Sequence, residues 1–211
     1  RVVFYETDFC DKAFMEQVFE KHNIDIVCHL GARAGVRPSI DDPFVYVHSN
    51  IEGTVNLLEL AVKHKVDNFV YASSSSVYGG SKNNVFRESD VIVEQCSQYA
   101  ATKASCELIA HTYHHLYGLN VTGLRFFTVY GPSGRPDMAP FKFIDRVYRG
   151  ETIDQYGNGT SERDYTFIDD IVDGVVRSCY KPLGCKVINL GNGNPVVLKE
   201  FIRTVGELLG K

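Results

Sequence analysis

Short apolar runs and longer runs with helical spacing take turns along this chain. Val2 to Tyr5, Asp25 to Leu30, Asn68 to Ala72, Val121 to Phe127 and Lys186 to Leu190 are brief, rich in β-branched and aromatic residues, and apolar at successive positions. That pattern predicts strands covered on both faces. Between them, 11–21, 44–64, 97–117, 138–149, 168–180 and 198–209 repeat apolar residues at every third or fourth position, which predicts amphipathic helices. In 44–64 the stripe Val47, Ile51, Val55, Leu58 and Val62 is expected to face the core. Strand–helix alternation predicts an α/β fold, a parallel sheet layered with helices. Such a sheet takes its ligands beyond the carboxyl ends of its strands.

The stretches that follow the predicted strands are therefore the places to look for chemistry. They read Thr7-Asp8-Phe9, Gly31-Ala32-Arg33-Ala34-Gly35, Ser73-Ser74-Ser75-Ser76 and Thr128-Val129-Tyr130-Gly131-Pro132. Small and hydroxyl-bearing residues dominate, which suits a site where backbone must come close to a ligand. Tyr99 and Lys103 stand at i and i+4 near the start of the predicted helix 97–117, one turn apart on one face. An ammonium beside a phenol stabilises the phenolate and lowers the tyrosine pKa. That makes Tyr99 a candidate general acid–base. Tyr-x-x-x-Lys alone occurs on many helices. Ser74 adds weight, because a hydroxyl at the end of the preceding strand can reach the same substrate oxygen as a tyrosine on the next helix.

Composition narrows the alternatives. With 211 residues, 44% of them hydrophobic, the chain can build a sizeable core. The net charge of −4 comes without any basic stripe, which argues against nucleic acid as a partner. No apolar run reaches the roughly 18 residues of a membrane span. The cysteines at 10, 28, 96, 106, 179 and 185 form no C-x-x-C pair and have no zinc spacing, so reduced thiols in a cytoplasmic protein are expected, with no metal. His111, His114 and His115 share a helix but lack a carboxylate or cysteine at ligand spacing. No G-x-G-x-x-G occurs, so a dinucleotide fold would have its pyrophosphate turn upstream of Arg1.

Taken in order, these segments resemble the extended short-chain dehydrogenase/reductases, also called the NAD-dependent epimerase/dehydratases. The matching segments are Asp8-Phe9, His29-Leu30-Gly31-Ala32, Asn50 before Gly53-Thr54, the serine run, Tyr99 with Lys103, Leu124 to Phe127, and Arg163 to Asp170. The resemblance implies a Rossmann-like doubly wound parallel sheet that lacks its N-terminal βαβ unit, with a partial C-terminal substrate lobe. Residues 1–132 and 164–191 would form the truncated NAD-binding domain, and 133–163 with 192–211 the lobe. Phe127 to Ala139 most resembles the UDP-glucuronate 4-epimerases, although Ser133 stands where those usually carry a bulky residue.

The same resemblance implies NAD as cofactor, a UDP-sugar as substrate, inversion at C4 through a transient 4-keto sugar, and a homodimer formed through 44–64 and 97–117. It assigns catalysis to Ser74, Tyr99 and Lys103. Asp8 and Phe9 would meet the adenine, and Leu30, Gly31 and Ala32 would line the cofactor. Asn50, Ser73, Tyr99, Lys103 and Phe126 complete the cofactor set. Ser75, Ser76, Thr128 and Arg135 would contact the sugar, Gln155 and Tyr156 the uracil, and Arg163 the diphosphate, a task suited to its fork of donors. The related 4,6-dehydratases typically carry an acid after the catalytic hydroxyl, where this chain has Ser75 and Ser76. A decarboxylase acting on UDP-glucuronate, a UDP-glucose epimerase and a non-catalytic fragment are the other readings.

Overall fold

The computed structural model describes residues 2–81, 83, 85–155 and 157–211. The chain forms two compact units, Arg1–Arg125 with Val175–Asn189, and Phe126–Gly174 with Leu190–Lys211.

The first unit is built on a four-stranded sheet in the order β1 (Ile26–His29), β2 (Asn68–Ser74), β3 (Val121–Phe126), β6 (Cys185–Leu190). β1 and β2 run parallel, with Ile26 opposite Asn68 and His29 opposite Tyr71. Parallel neighbours need crossovers, and here helices supply them. Helix α1 (Lys12–Lys21) is capped by the Asp11 side chain, which accepts from the Phe14 N–H. Helix α5 (Gln98–Tyr117) starts at Ser97, whose Oγ accepts the Ala100 N–H, and stops at Gly118 in the left-handed conformation. Phe69, Leu58, Leu60, Ala61, Val121, Ala110 and Phe19 fill the core between sheet and helices.

Two expectations are corrected here. Val2 to Tyr5 forms no strand, and Val2 and Phe4 are exposed. β-branched composition alone does not make a strand, because a ladder needs a partner for its N–H and C=O groups, and none is found for this run among the described residues. The helix expected over 44–64 is real but broken in character. After the short α2 (Pro38–Asp41) it runs as α3 (Pro43–Tyr46), a π turn (Val47–Glu52) and α4 (Gly53–Lys63). The extra residue of the π turn rotates everything beyond it by a helical step, about 100°. The buried face is consequently Asn50, Thr54, Leu57, Leu58 and Ala61, whereas Val47 is 45% exposed.

His29 closes β1 and is buried. Its Nε2 lies 3.1 Å from Thr54 Oγ1, while Thr54 gives its own proton to the Asn50 carbonyl at 2.5 Å, so His29 is the donor. Burial, helped by the Lys103 ammonium, pushes the imidazole down to about 4. The folded form thus resists protonation more than an unfolded chain, whose histidine titrates near 6.5. Stability from this group is complete above about pH 6.5 and falls as pH drops toward 4, by about 3 kcal/mol in all. Urea unfolding at pH 7 and pH 4.5 should show His29→Gln losing less stability over that interval than the parent.

The second unit carries a separate three-stranded sheet, β4 (Thr128–Tyr130), β5 (Glu162–Phe167) and β7 (Pro195–Val197), in the order β4-β5-β7. β4 pairs parallel with β5, and β7 antiparallel. None of these three short strands was expected. Helices α6 (Ala139–Arg149) and α8 (Leu198–Leu209) pack together, with Phe143 and Phe201 centroids 6.1 Å apart and Tyr165 stacked on Phe201 at 4.7 Å. α7 (Ile168–Tyr180) starts in this unit and ends in the first.

Candidate active site

The end of β2 gathers the first group of expected residues. Successive side chains of a strand point to opposite faces, so Ser73 and Ser74 cannot share a task. The Ser73 hydroxyl donates to Glu107 Oε1 at 2.5 Å, inside the core. Ser74 points the other way. Its Oγ accepts the Ser76 N–H at 3.1 Å and so caps the 3-10 turn Ser75–Tyr78. That bond fixes the hydroxyl and leaves its own proton to donate. Ser75 and Ser76 are half-buried on the turn.

Helix α5 packs against both β2 and this turn. Lys103 extends from it to donate Nζ–H to the Ala72 carbonyl at 2.9 Å, two residues before Ser74. An ammonium has three donors, and this one is 5% exposed with no ion pair among the described residues. Burial therefore pushes its pKa down. Tyr99 lies one turn earlier on the same face, half-buried, with Tyr46 meeting its ring edge-on at 6.3 Å. The β2–α5 packing thus brings the ammonium to the end of β2, where Ser74 lies, with Tyr99 one turn before it on the helix.

The loop after β1 is held by side chains rather than by regular structure. Asn50, 1% exposed, accepts the Arg33 N–H on Oδ1 at 2.8 Å. Its Nδ2 donates to the Arg33 carbonyl at 3.0 Å and to Thr102 Oγ1 at 2.9 Å. Tyr46 donates to the Ala34 carbonyl at 2.9 Å. Asn50 therefore has its amide turned to protein, and it ties 31–35 to α5. Thr102 and Tyr46 escaped the sequence reading, because both act through tertiary hydrogen bonds that no local pattern announces. In the same loop Leu30 and Gly31 are exposed and Ala32 half-buried. The missing side chain of Gly31 makes room for Phe9, since a Cβ there would lie 2.8 Å from Phe9 Cε1. Phe9 packs on the core and stands edge-on to His29 at 5.1 Å. Asp8 is exposed and accepts the Cys10 N–H at 2.9 Å, which holds its carboxyl pKa below the usual range.

The remaining expected residues belong to the second unit. Phe126 and Thr128 are half-buried, and Thr128 opens β4 opposite Tyr165. Arg135 is exposed and makes a two-point pair with Asp137. It lines a cleft of about 360 Å³ walled by Tyr130, Met138, Phe141, Ile144 and Tyr148. Gln155 is exposed, with Nε2 3.2 Å from the Gly157 carbonyl. Arg163 is exposed on β5 and donates to the Glu162 carbonyl at 2.7 Å. Asp164 turns its two oxygens to the Asn192 and Gly193 N–H groups at 2.9 and 2.7 Å. Tyr156 lies outside the described residues.

The chain is similar to known proteins over nearly its whole length. The chain is 48% identical over 209 residues to a UDP-glucuronate 4-epimerase of Thermodesulfobacterium geofontis, covering 99% of this chain and 64% of that protein. It is similar to the solved UDP-glucose 4-epimerase of Thermotoga maritima with UDP-glucose, at a TM-score of 0.94 and 30% identity, covering 99% of this chain and 69% of that one. It is also similar to the UDP-glucuronic acid 4-epimerase of Bacillus cereus in complex with UDP-glucuronic acid and NAD, at a TM-score of 0.87 and 35% identity, covering 98% and 63%. The fold is thus Rossmann-type, and the chain spans 64% of the length of curated relatives it matches. No helix among the described residues is long and apolar enough to cross a membrane. The family model described as NAD dependent epimerase/dehydratase matches residues 1–191, and the chain belongs to that family.

Proposed function

We propose that the whole protein is an NAD-dependent isomerase that inverts C4 of a UDP-sugar, converting UDP-glucuronate to UDP-galacturonate. The observation that carries this reading is the seating of Lys103 Nζ on the Ala72 carbonyl, beside Ser74 and one helical turn from Tyr99. The donor set fits a dinucleotide with ribose hydroxyls. Lys103 is a buried cation with hydrogen-bonding capacity beyond its one bond to Ala72 and no neighbouring carboxylate pair among the described residues. Leu30, Gly31 and Asp8, with the half-buried Ala32, offer an edge after β1 and before α1. When bound, NAD supplies the hydride acceptor and donor for C4.

The chain's own residues handle protons and orientation. Tyr99, as phenolate, takes the proton of the sugar 4-hydroxyl and later returns it. Lys103 stabilises that phenolate by its charge. Ser74 donates its free hydroxyl proton to the same sugar oxygen and holds it in place. Asn50 acts by holding the 31–35 loop against α5, not by direct contact. Residues 1–132 with 164–191 serve the cofactor, and 133–163 with 192–211 serve the substrate.

On the substrate side, Arg163 is free of ion pairs among the described residues and suits the diphosphate. Gln155, Tyr156, Ser75, Ser76 and Thr128 complete the sugar-nucleotide contacts. Arg135 takes the uronate carboxylate in place of Asp137. Both partners of that pair are exposed, so its loss costs no more than about 1 kcal/mol. Free thiols at all six cysteines fit the cytoplasm. Pairing of two copies through α3–α4 and α5 would cover Phe44, Leu108, Leu116 and Tyr117, which are 83, 68, 65 and 57% exposed.

Incubation of the whole protein with UDP-glucuronate tests the reading by its products. UDP-galacturonate is expected. UDP-xylose with carbon dioxide would make the protein a decarboxylase, and unchanged substrate together with no binding of NAD in a calorimetric titration would make it non-catalytic.

A further inference from the structure

We infer that Glu107 is a positioning residue for the proton-transfer site, setting the register of α5 on the end of β2 and hence the distance of Tyr99 and Lys103 from Ser74. The inference rests on the role proposed above for those three residues. Glu107 makes a two-point ion pair with Arg125 of β3, with Nε–Oε1 at 2.9 Å and Nη2–Oε2 at 2.7 Å. The two side chains are 6% and 3% exposed. The same Oε1 accepts the Ser73 hydroxyl of β2 at 2.5 Å. One carboxylate therefore joins a helix to two adjacent strands.

This junction is a poor device for stability alone. Burying a charge pair costs desolvation that packed apolar side chains would avoid. Arg125 Nη1 is moreover buried without a hydrogen-bond partner, which costs about 1–3 kcal/mol. What the junction supplies is geometry. Lys103 and Glu107 occupy successive turns of α5 and grip Ala72 and Ser73, successive residues of β2. A slide or rotation of the helix breaks both grips at once. Ser74 follows Ser73 directly on the strand, and Tyr99 precedes Lys103 by one turn on the helix, so a shift at either grip moves the two relative to each other. The guanidinium also stacks over the Tyr78 ring at 4.7 Å, and Tyr78 ends the 3-10 turn that Ser74 caps. The strand end is thus pinned from both sides.

Glu107 need not touch substrate for this, and its loss would expose Arg125 and unsettle the fold. The informative variant is Ser73→Ala, which removes the grip on β2 and leaves the ion pair whole. In the whole protein, Ser73→Ala should lower kcat about tenfold, because small misplacements of reacting groups are costly, while KM stays within about twofold. Ser73→Thr, which keeps the hydroxyl, should restore most of kcat. A Ser73→Ala enzyme that melts earlier yet keeps kcat within twofold of the parent overturns the inference and leaves the junction a structural feature only. Tyr99→Phe measured alongside separates the two levels. Full turnover there removes the site reading itself, whereas an inactive Tyr99→Phe beside a fully active Ser73→Ala removes only the role of Glu107.

Discussion

Replacement of Tyr99 by Phe is expected to cut turnover of the whole protein by about a hundredfold to ten-thousandfold, the range for loss of a positioned acid–base group. The change deletes one oxygen and keeps the ring. The edge-on contact with Tyr46 at 6.3 Å therefore persists, and so does the first turn of α5, which is capped by Ser97 rather than by Tyr99. Lys103 keeps its bond to Ala72, and Ser74 keeps its bond to the Ser76 N–H. Cofactor affinity, read by calorimetric titration with NAD, should change by no more than a few-fold, with a melting temperature close to the parent's. A variant that turns over within tenfold of the parent would remove Tyr99 from the mechanism. Lost NAD binding would assign the phenol to cofactor retention instead.

Replacement of Glu107 by Ala is the substitution with the largest expected effect on stability. It strands the Arg125 guanidinium at 3% side-chain exposure, without its carboxylate, and leaves the Ser73 hydroxyl without an acceptor. Breaking one half of a buried pair costs about 3–5 kcal/mol. For a protein of this size each kcal/mol is worth about 2–4 °C in melting temperature, so a drop well beyond 5 °C is expected. The companion double variant, Glu107→Ala with Arg125→Met, removes both charges. It should recover much of the loss, since an apolar replacement of a whole buried pair is often near neutral. A double-mutant cycle by urea unfolding measures the coupling. A single variant that loses less than 1 kcal/mol, or a double variant no better than the single, would mean that water or backbone movement relieves Arg125.

Both results would read the same feature from different ends. Ser73 and Ser74 are neighbours with the same side chain, and the composition of the serine run does not tell them apart. One serves the buried carboxylate and the other caps the 3-10 turn, because strand geometry sends them to opposite faces. A ligand role for Ser73 through its hydroxyl is therefore set aside, and its part is the grip on Glu107.

Much of the framework was legible in the residues themselves. The strands at 26–29, 68–74, 121–126 and 185–190 and the helices at 12–21, 98–117, 139–149, 168–180 and 198–209 coincide with the expected runs to within a few residues. Hydrophobic spacing, the Ser97 cap and the left-handed Gly118 are local signals, and local signals survive without knowledge of the fold. The placement of Tyr99 and Lys103 on one helical face was legible for the same reason. What escaped was everything decided across long separations in the chain. The three short strands of the second sheet owe their existence to their pairing. The phase of the 44–64 helix turned on a π turn whose Asn50 binds the main chain at Arg33. Val2 to Tyr5 has strand composition and no strand partner among the described residues. The sequence by itself determined which residues are apolar, where helices begin and end, and that a phenol and an ammonium share one face. Only the tertiary structure decided which serine bonds the Glu107 carboxylate and which caps the turn, because hydrogen bonds between distant segments depend on packing that no local pattern encodes.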